Sequence, residues 1–233
     1  MKVNSVSVII GTHDQYRAAW PAMHHSLTKY FPDCPWPIYW VTNQLTPPCG
    51  TGLKVGGGKV WGTNMRKALH MLDSEVVLFM PEDTWMTGKV NTEALVEFAT
   101  YITDDIVDHI RLVNSDVVIH LKDYTPDPRL WIYASNSPYR TSCCPGLWRR
   151  DVMRKLIRNT DTAWSFEKQA PSCSRDYLFL CTYASDYIPY VMPVGGAKWA
   201  WSPIKRGKWT KGAKLWAEIE GVEIDFERHP KDY

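Results

Sequence analysis

The stretch SEVVLFMPEDTWMTG, residues 74–88, decides the fold. Residues 76–80 form a short, continuous apolar run, which is typical of a strand buried on both faces of a parallel sheet. Pro81 ends the run, and Glu82 and Asp83 follow at once. The stretch therefore predicts a central strand that delivers two adjacent carboxylates to its own end.

Strands and helices alternate on both sides of this stretch. Apolar, β-branched runs predict further strands at 5–11 (SVSVIIG) and 37–43 (PIYWVTN). Such alternation predicts an α/β fold with a Rossmann-like, mixed but mostly parallel sheet flanked by helices. Ligands bind at the carboxyl ends of strands in such sheets, so GTHDQY and PEDTW are expected along one rim. Helices are expected at 15–30, 63–72, 91–102, 149–159 and 214–221, with Asn91 as a cap and Gly221 as a stop.

Other segments read as loops or short strands. The Gly- and Pro-rich segment 44–62 is expected to be a loop that is mobile or ordered by a ligand. One or two strands are expected between 109 and 121, and 126–146 is rich in turn formers. The expected organisation is one catalytic domain, 1–233, whose segment 198–233 is basic and aromatic.

Composition bounds the class of protein. The 233 residues are 45% hydrophobic and 22% charged, which suits a globular domain, and the net charge of +2 indicates no particular partner. Six cysteines form no C-x-x-C pair, so neither a zinc nor a dithiol site is indicated. The N-terminus lacks the pattern of a signal peptide, and no run approaches the roughly 20 apolar residues of a membrane span. We expect free thiols and a cytoplasmic location, in the host cytoplasm if the chain is viral.

Two adjacent carboxylates at a strand end repel each other and resist burial. A hard cation removes both costs, and Mg²⁺ or Mn²⁺ typically takes one or two carboxylates together with substrate phosphates. The pair thus suggests a metal that holds a diphosphate. The alternative is that Glu82 caps the following turn and Asp83 is merely solvated.

An ordered set of motifs resembles the GT-A glycosyltransferases, particularly the small single-domain viral and bacterial type. The strand ending in E-D stands where that family has paired acids, commonly Asp-Asp or Asp-x-Asp. The resemblance covers about residues 5 to 210, and it implies a nucleoside-diphosphate sugar, most simply a UDP-sugar, as donor. The matching stretches are SVSVIIGTHDQY (5–16), VWGTNMRKALHML (60–72), VVLFMPEDTWM (76–86), YRTSCCPGLWRRDVMRKLI (139–157), TAWSFEKQ (162–169) and IKRGKW (204–209).

On this resemblance, the donor site includes Asp83 as ligand of Mn²⁺ or Mg²⁺. Glu82 is longer than the family's Asp and is assigned to the donor site rather than to the metal. Segment 198–233 is expected to close over the donor. The other donor-binding residues that the resemblance implies are Thr12, His13, Asp14, Trp61, Asn64, Arg206 and Lys208.

The acceptor side follows from the same resemblance. In W-x-F-E, Glu167 matches the position of a base that deprotonates the acceptor hydroxyl in an inverting transfer, and Asp176 is the second candidate. Trp148 and Arg149 are the expected acceptor contacts.

Four functions remain open at this point. The first is sugar transfer to a carbohydrate or a lipid-linked acceptor. The second is transfer to DNA carrying a 5-hydroxymethylpyrimidine, which is suggested by six cations without an acid between 198 and 214. The third is a non-catalytic module that binds a nucleotide or carbohydrate, and the fourth is a nucleotidyltransferase.

Overall fold

The computed structural model describes residues 5–113, 120, 121, 125, 127–168, 173–184, 186–190 and 202–227. Part of the basic segment, including Lys198, Trp199 and Trp201, lies outside the described residues.

Nine strands of the described residues form one sheet in the order β3-β2-β1-β4-β8-β5-β9-β7-β6. All of them except β7 and β8 run in the same direction. The predicted mixed, mostly parallel α/β sheet is confirmed. The strands are β1 (Val6–Gly11), β2 (Ile38–Thr42), β3 (Thr51–Lys54), β4 (Val76–Pro81), β5 (His109–Arg111), β6 (His120–Leu121), β7 (Leu130–Tyr133), β8 (Gly146–Arg149) and β9 (Phe179–Thr182).

The five predicted helices fall close to their predicted positions, and a sixth, Ala163–Lys168, was not predicted. Asn91 caps α3 by accepting a hydrogen bond from the Ala94 amide at 3.1 Å, and Gly221 ends α6 with a left-handed φ of 65°. Both predicted caps are confirmed. The helices are α1 (Trp20–Tyr30), α2 (Trp61–His70), α3 (Thr92–Thr103), α4 (Arg150–Leu156), α5 (Ala163–Lys168) and α6 (Lys211–Glu220).

Short elements account for the differences from the predictions. The predicted helix 15–30 begins as a 3₁₀ helix, Asp14–Ala19, and becomes α-helical at Trp20, with Pro21 in the first turn where its missing N–H costs nothing. The segment 44–62 contains β3 as well as loop. The four-residue strands β7, β8 and β9 were not predicted as strands, because so short a run shows no clear period.

Two hydrophobic clusters lie on the two faces of the sheet, and β4 contributes to both. Val76, Leu78 and Met80 pack into the cluster that includes α1 and α3 residues. Val77 and Phe79 pack into the cluster that includes α2 and α4 residues. This double burial explains why the run 76–80 is continuously apolar.

The C-terminal segment packs beside the loop that follows β4. The Trp216 indole on α6 donates to the Met86 carbonyl at 2.8 Å, and its ring lies 5.0 Å from that of Trp85. A two-stranded hairpin, β10 (Ile204–Lys205) and β11 (Lys208–Trp209), precedes α6, and Trp209 also contacts Trp85. The hairpin is therefore anchored next to the end of β4.

Candidate active site

The ends of β1 and β4 meet at one rim of the sheet. The two strands are parallel neighbours, with Gly11 paired to Pro81, and the Glu82 amide donates to the Gly11 carbonyl at 3.3 Å. A side chain on Gly11 would come within 2.5 Å of the Phe79 ring, so glycine permits this close approach. The loops GTHDQY and PEDTW share the rim as predicted.

Three carboxylates come together at this rim: Glu82 and Asp83 after β4, and Glu167 from α5. The chain just before β8 holds Glu167 in place, since the Cys143 amide donates to its Oε1 at 2.9 Å. Asp83 is near enough for its charge to raise the pKa of Glu167. Burial raises the pKa of Cys143, and the charges of Glu167, Asp83 and Glu82 add to the effect, which places the thiol near the three acids.

The surroundings favour the neutral form of all three acids. Although part of each residue reaches the surface, burial and the neighbouring Asp83 raise the pKa of Glu82 to about 8. Burial also raises the pKa of Asp83, against the effect of a hydrogen bond from Ser202. Burial raises the pKa of Glu167 in the same direction, opposed by the Cys143 amide and the Arg111 charge. A positive charge brought to this rim would lower the pKa of all three carboxyl groups and so favour their ionised forms.

Three hydroxyl groups complete the surroundings of the acids. The Ser202 hydroxyl, just before the hairpin, donates to Asp83 Oδ2 at 2.6 Å. Burial, Glu82 and Asp83 raise the pKa of Tyr16 to about 12, so its phenol lies beside the pair. Burial raises the pKa of Tyr190, and the charges of Cys144 and Asp83 add to the effect. The Tyr190 phenol is therefore also near Asp83.

The residues after β1 make contacts within the protein. Thr12 Oγ1 accepts a hydrogen bond from the Trp20 indole at 2.9 Å, and His13 Nδ1 accepts one from the Gln15 amide at 3.2 Å. The Asp14 carboxylate accepts three backbone amides from residues 43–45, at 2.8, 2.9 and 3.1 Å. Asp14 therefore joins the exit loops of β1 and β2, a role that the sequence did not indicate.

The Gly-rich loop before α2 is tied down by side chains. Asn43 Nδ2 donates to the carbonyls of Gly56 and Gly58 at 2.6 and 3.2 Å, and Asn64 Nδ2 donates to Gly58 at 2.8 Å. Asn64 is buried, and its Oδ1 has no hydrogen-bond partner among the described residues. Trp61 opens α2 and lies 5.5 Å, ring to ring, from Phe166, next to Glu167 in α5.

Trp148 and Arg149 lie away from the acids. Trp148 is fully buried in the core, stacked on His109 with ring centroids 3.6 Å apart. Arg149 is paired with the first residue of β4, Val76. Its guanidinium binds Asp105 at 2.8 Å, at the end of the sheet opposite the rim. The structure does not bring these two predicted acceptor residues together with the three acids, because β8 runs away from the rim.

Asp176 also lies far from the predicted chemistry. Asp176 is exposed and precedes β9, which runs parallel to β5. It therefore lies at the end of the sheet where the parallel strands begin, opposite the rim. Glu167 is thus the candidate base that shares the rim with Glu82 and Asp83. Arg206 and Lys208 are exposed on the hairpin, whose preceding residue Ser202 contacts Asp83.

Several residues of the rim were missed by sequence reasoning. Ser202, Tyr16 and Tyr190 approach the acids from distant parts of the chain, and no local pattern marks them. Arg111 ends β5, is buried, and donates to the Tyr133 hydroxyl at 2.8 Å. An Arg at the end of a predicted strand near 109–121 is the one signal that could have found a member of this set.

The rim suits a metal that the substrate helps to bind. No group of three or more His, Cys, Asp and Glu side chains in the described part of the chain is arranged to hold a metal ion by itself. Glu82 and Asp83 offer hard oxygen ligands in a setting that disfavours their uncompensated charge. That donor set fits Mg²⁺ or Mn²⁺, which usually completes its shell with water and substrate phosphate.

Comparison with known proteins shows the fold. No protein-family model and no curated protein matches the chain. Among solved structures, residues 1–349 of S. aureus TarS match with a TM-score of 0.50 and 14% identity, covering 80% of this chain and 59% of that one. The 2-C-methyl-D-erythritol 4-phosphate cytidylyltransferase of Thermus thermophilus matches with a TM-score of 0.47 and 13% identity, covering 82% and 94%. The bifunctional IspDF of Campylobacter jejuni matches with a TM-score of 0.46 and 11% identity, covering 80% and 52%.

The chain therefore has a GT-A-like fold, and at 14% identity the likeness to the TarS fragment shows the fold alone. It spans little more than half the length of the TarS fragment and of IspDF. Among the described residues, no helix has the length and apolar character needed to cross a membrane.

Proposed function

We propose that this protein is a glycosyltransferase that moves a sugar from a nucleoside-diphosphate sugar to an acceptor hydroxyl. The observation that carries the proposal is the meeting of Glu82, Asp83 and Glu167 at the rim of a GT-A-like sheet. Two adjacent acids at a strand end suit a metal-bound diphosphate. The third acid, Glu167, comes from another element and is oriented by the Cys143 amide, which suits proton transfer. Structures of the TarS fragment with UDP and with UDP-GlcNAc make UDP and its sugars the first ligands to test.

The proposed donor site is centred on Asp83, with Glu82 beside it. A bound Mg²⁺ or Mn²⁺ would neutralise the charge that develops on the departing diphosphate. The chain's own contribution is to hold the two carboxylates at the strand end, with Ser202 fixing one oxygen of Asp83. Arg206 and Lys208 are proposed to add positive charge from the hairpin.

The proposed base is Glu167. As the bond between the anomeric carbon and the diphosphate oxygen breaks, the acceptor oxygen bonds to that carbon from the opposite face, and Glu167 takes its proton. A raised pKa makes a carboxylate a stronger base near neutral pH, and burial shifts Glu167 in that direction. The Cys143 amide binds Oε1 and so orients the carboxylate. The transfer that we propose is inverting.

Release of UDP from a panel of UDP-sugars with Mn²⁺ tests the proposal. We expect slow hydrolysis of at least one donor without an acceptor, and a loss of about 100-fold or more in Asp83→Asn. Glu167→Gln is expected to keep UDP binding and lose transfer. Asp176→Asn is the matched control, because it removes one carboxylate at the end of the sheet opposite the rim. It should keep full activity.

The other candidate functions give different results in the same assay. A nucleotidyltransferase would instead join CTP or UTP to a sugar phosphate and release pyrophosphate. A binding module would bind UDP or a sugar without turnover of any donor. Equal activity in Asp83→Asn and wild type would contradict the proposed role of the metal.

A further inference from the structure

A row of exposed cations lies beside the proposed site. We call residues 202–214 the basic arm: the β10–β11 hairpin and the first turn of α6. None of its cations forms an ion pair with a carboxylate of the described residues. Lys214 lies over the Phe226 ring at 5.8 Å. The exposed cations are Lys205, Arg206, Lys208, Lys211 and Lys214.

The arm keeps like charges close together. Lys205 and Lys208 stand directly opposite each other across the hairpin. Like charges in such cross-strand pairs destabilise a hairpin. Arg206 and Gly207 form the turn with φ of 53° and 73°, at positions that favour Asn and Gly. An anion bound to the arm would relieve the repulsion between these groups.

The arm starts at the proposed site. Ser202 donates to Asp83 and, through its carbonyl, accepts from the Thr210 hydroxyl at 2.9 Å, so both ends of the hairpin are held near the acids. The cations then lie along the two strands and along α6. A polyanion bound to them would pass next to Asp83.

Charge placement distinguishes the possible anions. A single diphosphate is compact and needs no more than Arg206 and Lys208. The five cations are spread along a hairpin and a helix turn, which leaves Lys205, Lys211 and Lys214 for a linear polyanion with regularly spaced charges when the donor is bound. The charge also changes sign along the chain: residues 218–227 contain five acids and no cation. A flat anionic membrane resting on α6 would meet Glu218 as well as Lys211 and Lys214, whereas a narrow strand can follow the arm alone.

We propose that the basic arm binds nucleic acid, which makes nucleic acid the acceptor class. The acceptor part of this inference rests on the proposed transferase function, whereas binding to the arm does not. A hydroxyl on a base would have to be turned out of a duplex, or presented on a single strand, to reach Glu167.

Fluorescence anisotropy with labelled duplex and single-stranded DNA of one sequence, and the matching RNA, tests the binding. We expect the logarithm of the binding constant to fall with the logarithm of salt concentration with a slope of about −4. Lys205→Glu with Lys211→Glu should weaken binding about 10-fold or more and reduce the slope by about 2. Lys89→Glu with Lys155→Glu makes an equal charge change in the loop before α3 and in α4, and it should leave the affinity and the slope unchanged.

The same variants report on folding. Lys205→Glu replaces a repulsive cross-strand pair by an attractive one, so its melting temperature should rise while its binding weakens. Equal weakening by the control pair would overturn the proposal, as would binding to phosphatidylglycerol vesicles in place of nucleic acid. Loss of binding together with a lower melting temperature, in Lys205→Glu alone and in Lys205→Glu with Lys211→Glu, would also overturn it, because the lysines would then be structural.

The acceptor assignment has its own test. With a donor that the protein hydrolyses, DNA containing 5-hydroxymethylcytosine or 5-hydroxymethyluracil should gain one sugar by mass spectrometry, and unmodified DNA should not. Arm-dependent binding without sugar transfer would overturn the acceptor assignment. Failure to hydrolyse any donor would instead count against the transferase proposal and leave the binding result standing.

Discussion

Among the described residues, Ser202 is the contact that the C-terminal segment makes with the Asp83 carboxylate. The Ser202 hydroxyl, 2.6 Å from Oδ2, orients the carboxylate and favours its ionised form. Partners of this kind behind a metal ligand typically contribute a factor of about 10 to 100 in metal affinity.

We therefore expect Ser202→Ala to raise the Mn²⁺ concentration needed for half-maximal UDP release by about 10-fold. The rate at saturating Mn²⁺ should stay close to that of wild type, because Asp83 itself remains. Ser202→Thr keeps the hydroxyl and is the control. An unchanged Mn²⁺ requirement in Ser202→Ala would show that this hydrogen bond does not support the metal.

At the residue scale, the sequence predicts the acids better than their partners. Glu82, Asp83 and Glu167 could be placed together because each follows a local pattern at a recognisable position. His13 and Asp14 were assigned to a nucleotide, yet His13 binds an amide of its own turn and Asp14 binds three backbone amides. A short polar side chain at a strand end satisfies its own loop as readily as a ligand, and local sequence does not distinguish the two.

At the scale of elements, α6 is joined to α1 by a buried carboxylate. Burial opposes ionisation of Glu220, but hydrogen bonds from Lys29, Tyr30 and His25 outweigh it, so its pKa is lowered from 4.5. The three contacts measure 2.8, 2.6 and 2.8 Å. They fix the helix that follows the basic arm.

Glu220→Gln should lower the free energy of unfolding by about 1 to 3 kcal/mol at neutral pH, because charged hydrogen bonds are lost in a buried setting. A lowered carboxyl pKa contributes stability above 4.5 that is lost as pH falls through the lower folded value. The difference between wild type and Glu220→Gln should therefore shrink on acidification. Urea unfolding at neutral and acidic pH measures this, and a pH-independent difference would contradict it.

Elements were predictable where they are long or continuously apolar. The strands β1, β2 and β4 and the helices α2 and α3 each show a clear pattern over several residues. The strand β8 (GLWR) shows no such pattern, and its Trp148 and Arg149 were assigned to the acceptor. It runs antiparallel to β4 and so places Arg149 at the end of the sheet opposite the rim. Pairing with distant strands decides such a short element, and a single sequence does not contain that information.

At the scale of the whole molecule, the acidic rim makes stability depend on pH. The pKa of Glu82 rises from 4.5 to about 8 on folding, and that of Asp83 rises from 3.8. The native state then holds protons that the unfolded state releases, so the rim's contribution to stability is greatest below about pH 4.5 and is lost as pH rises towards about 8.

For the metal-free protein we expect the melting temperature to fall between about pH 5 and pH 8, with a flatter profile in Glu82→Gln. UDP with Mn²⁺ should raise the melting temperature of wild type at pH values near 8, since a bound cation removes the cost of the ionised pair. Scanning calorimetry across this range measures both effects. Parallel profiles for wild type and Glu82→Gln would show that the rim is not under electrostatic strain.

The central claim is that Asp83 anchors a cation which holds a nucleoside diphosphate at the end of β4. Calorimetric titration of UDP into wild type and Asp83→Asn, each with and without Mn²⁺, tests it most directly. The account predicts that Mn²⁺ strengthens UDP binding to wild type by about 10-fold or more and has no effect in Asp83→Asn. UDP binding of equal strength with and without Mn²⁺ in the wild-type protein would contradict it.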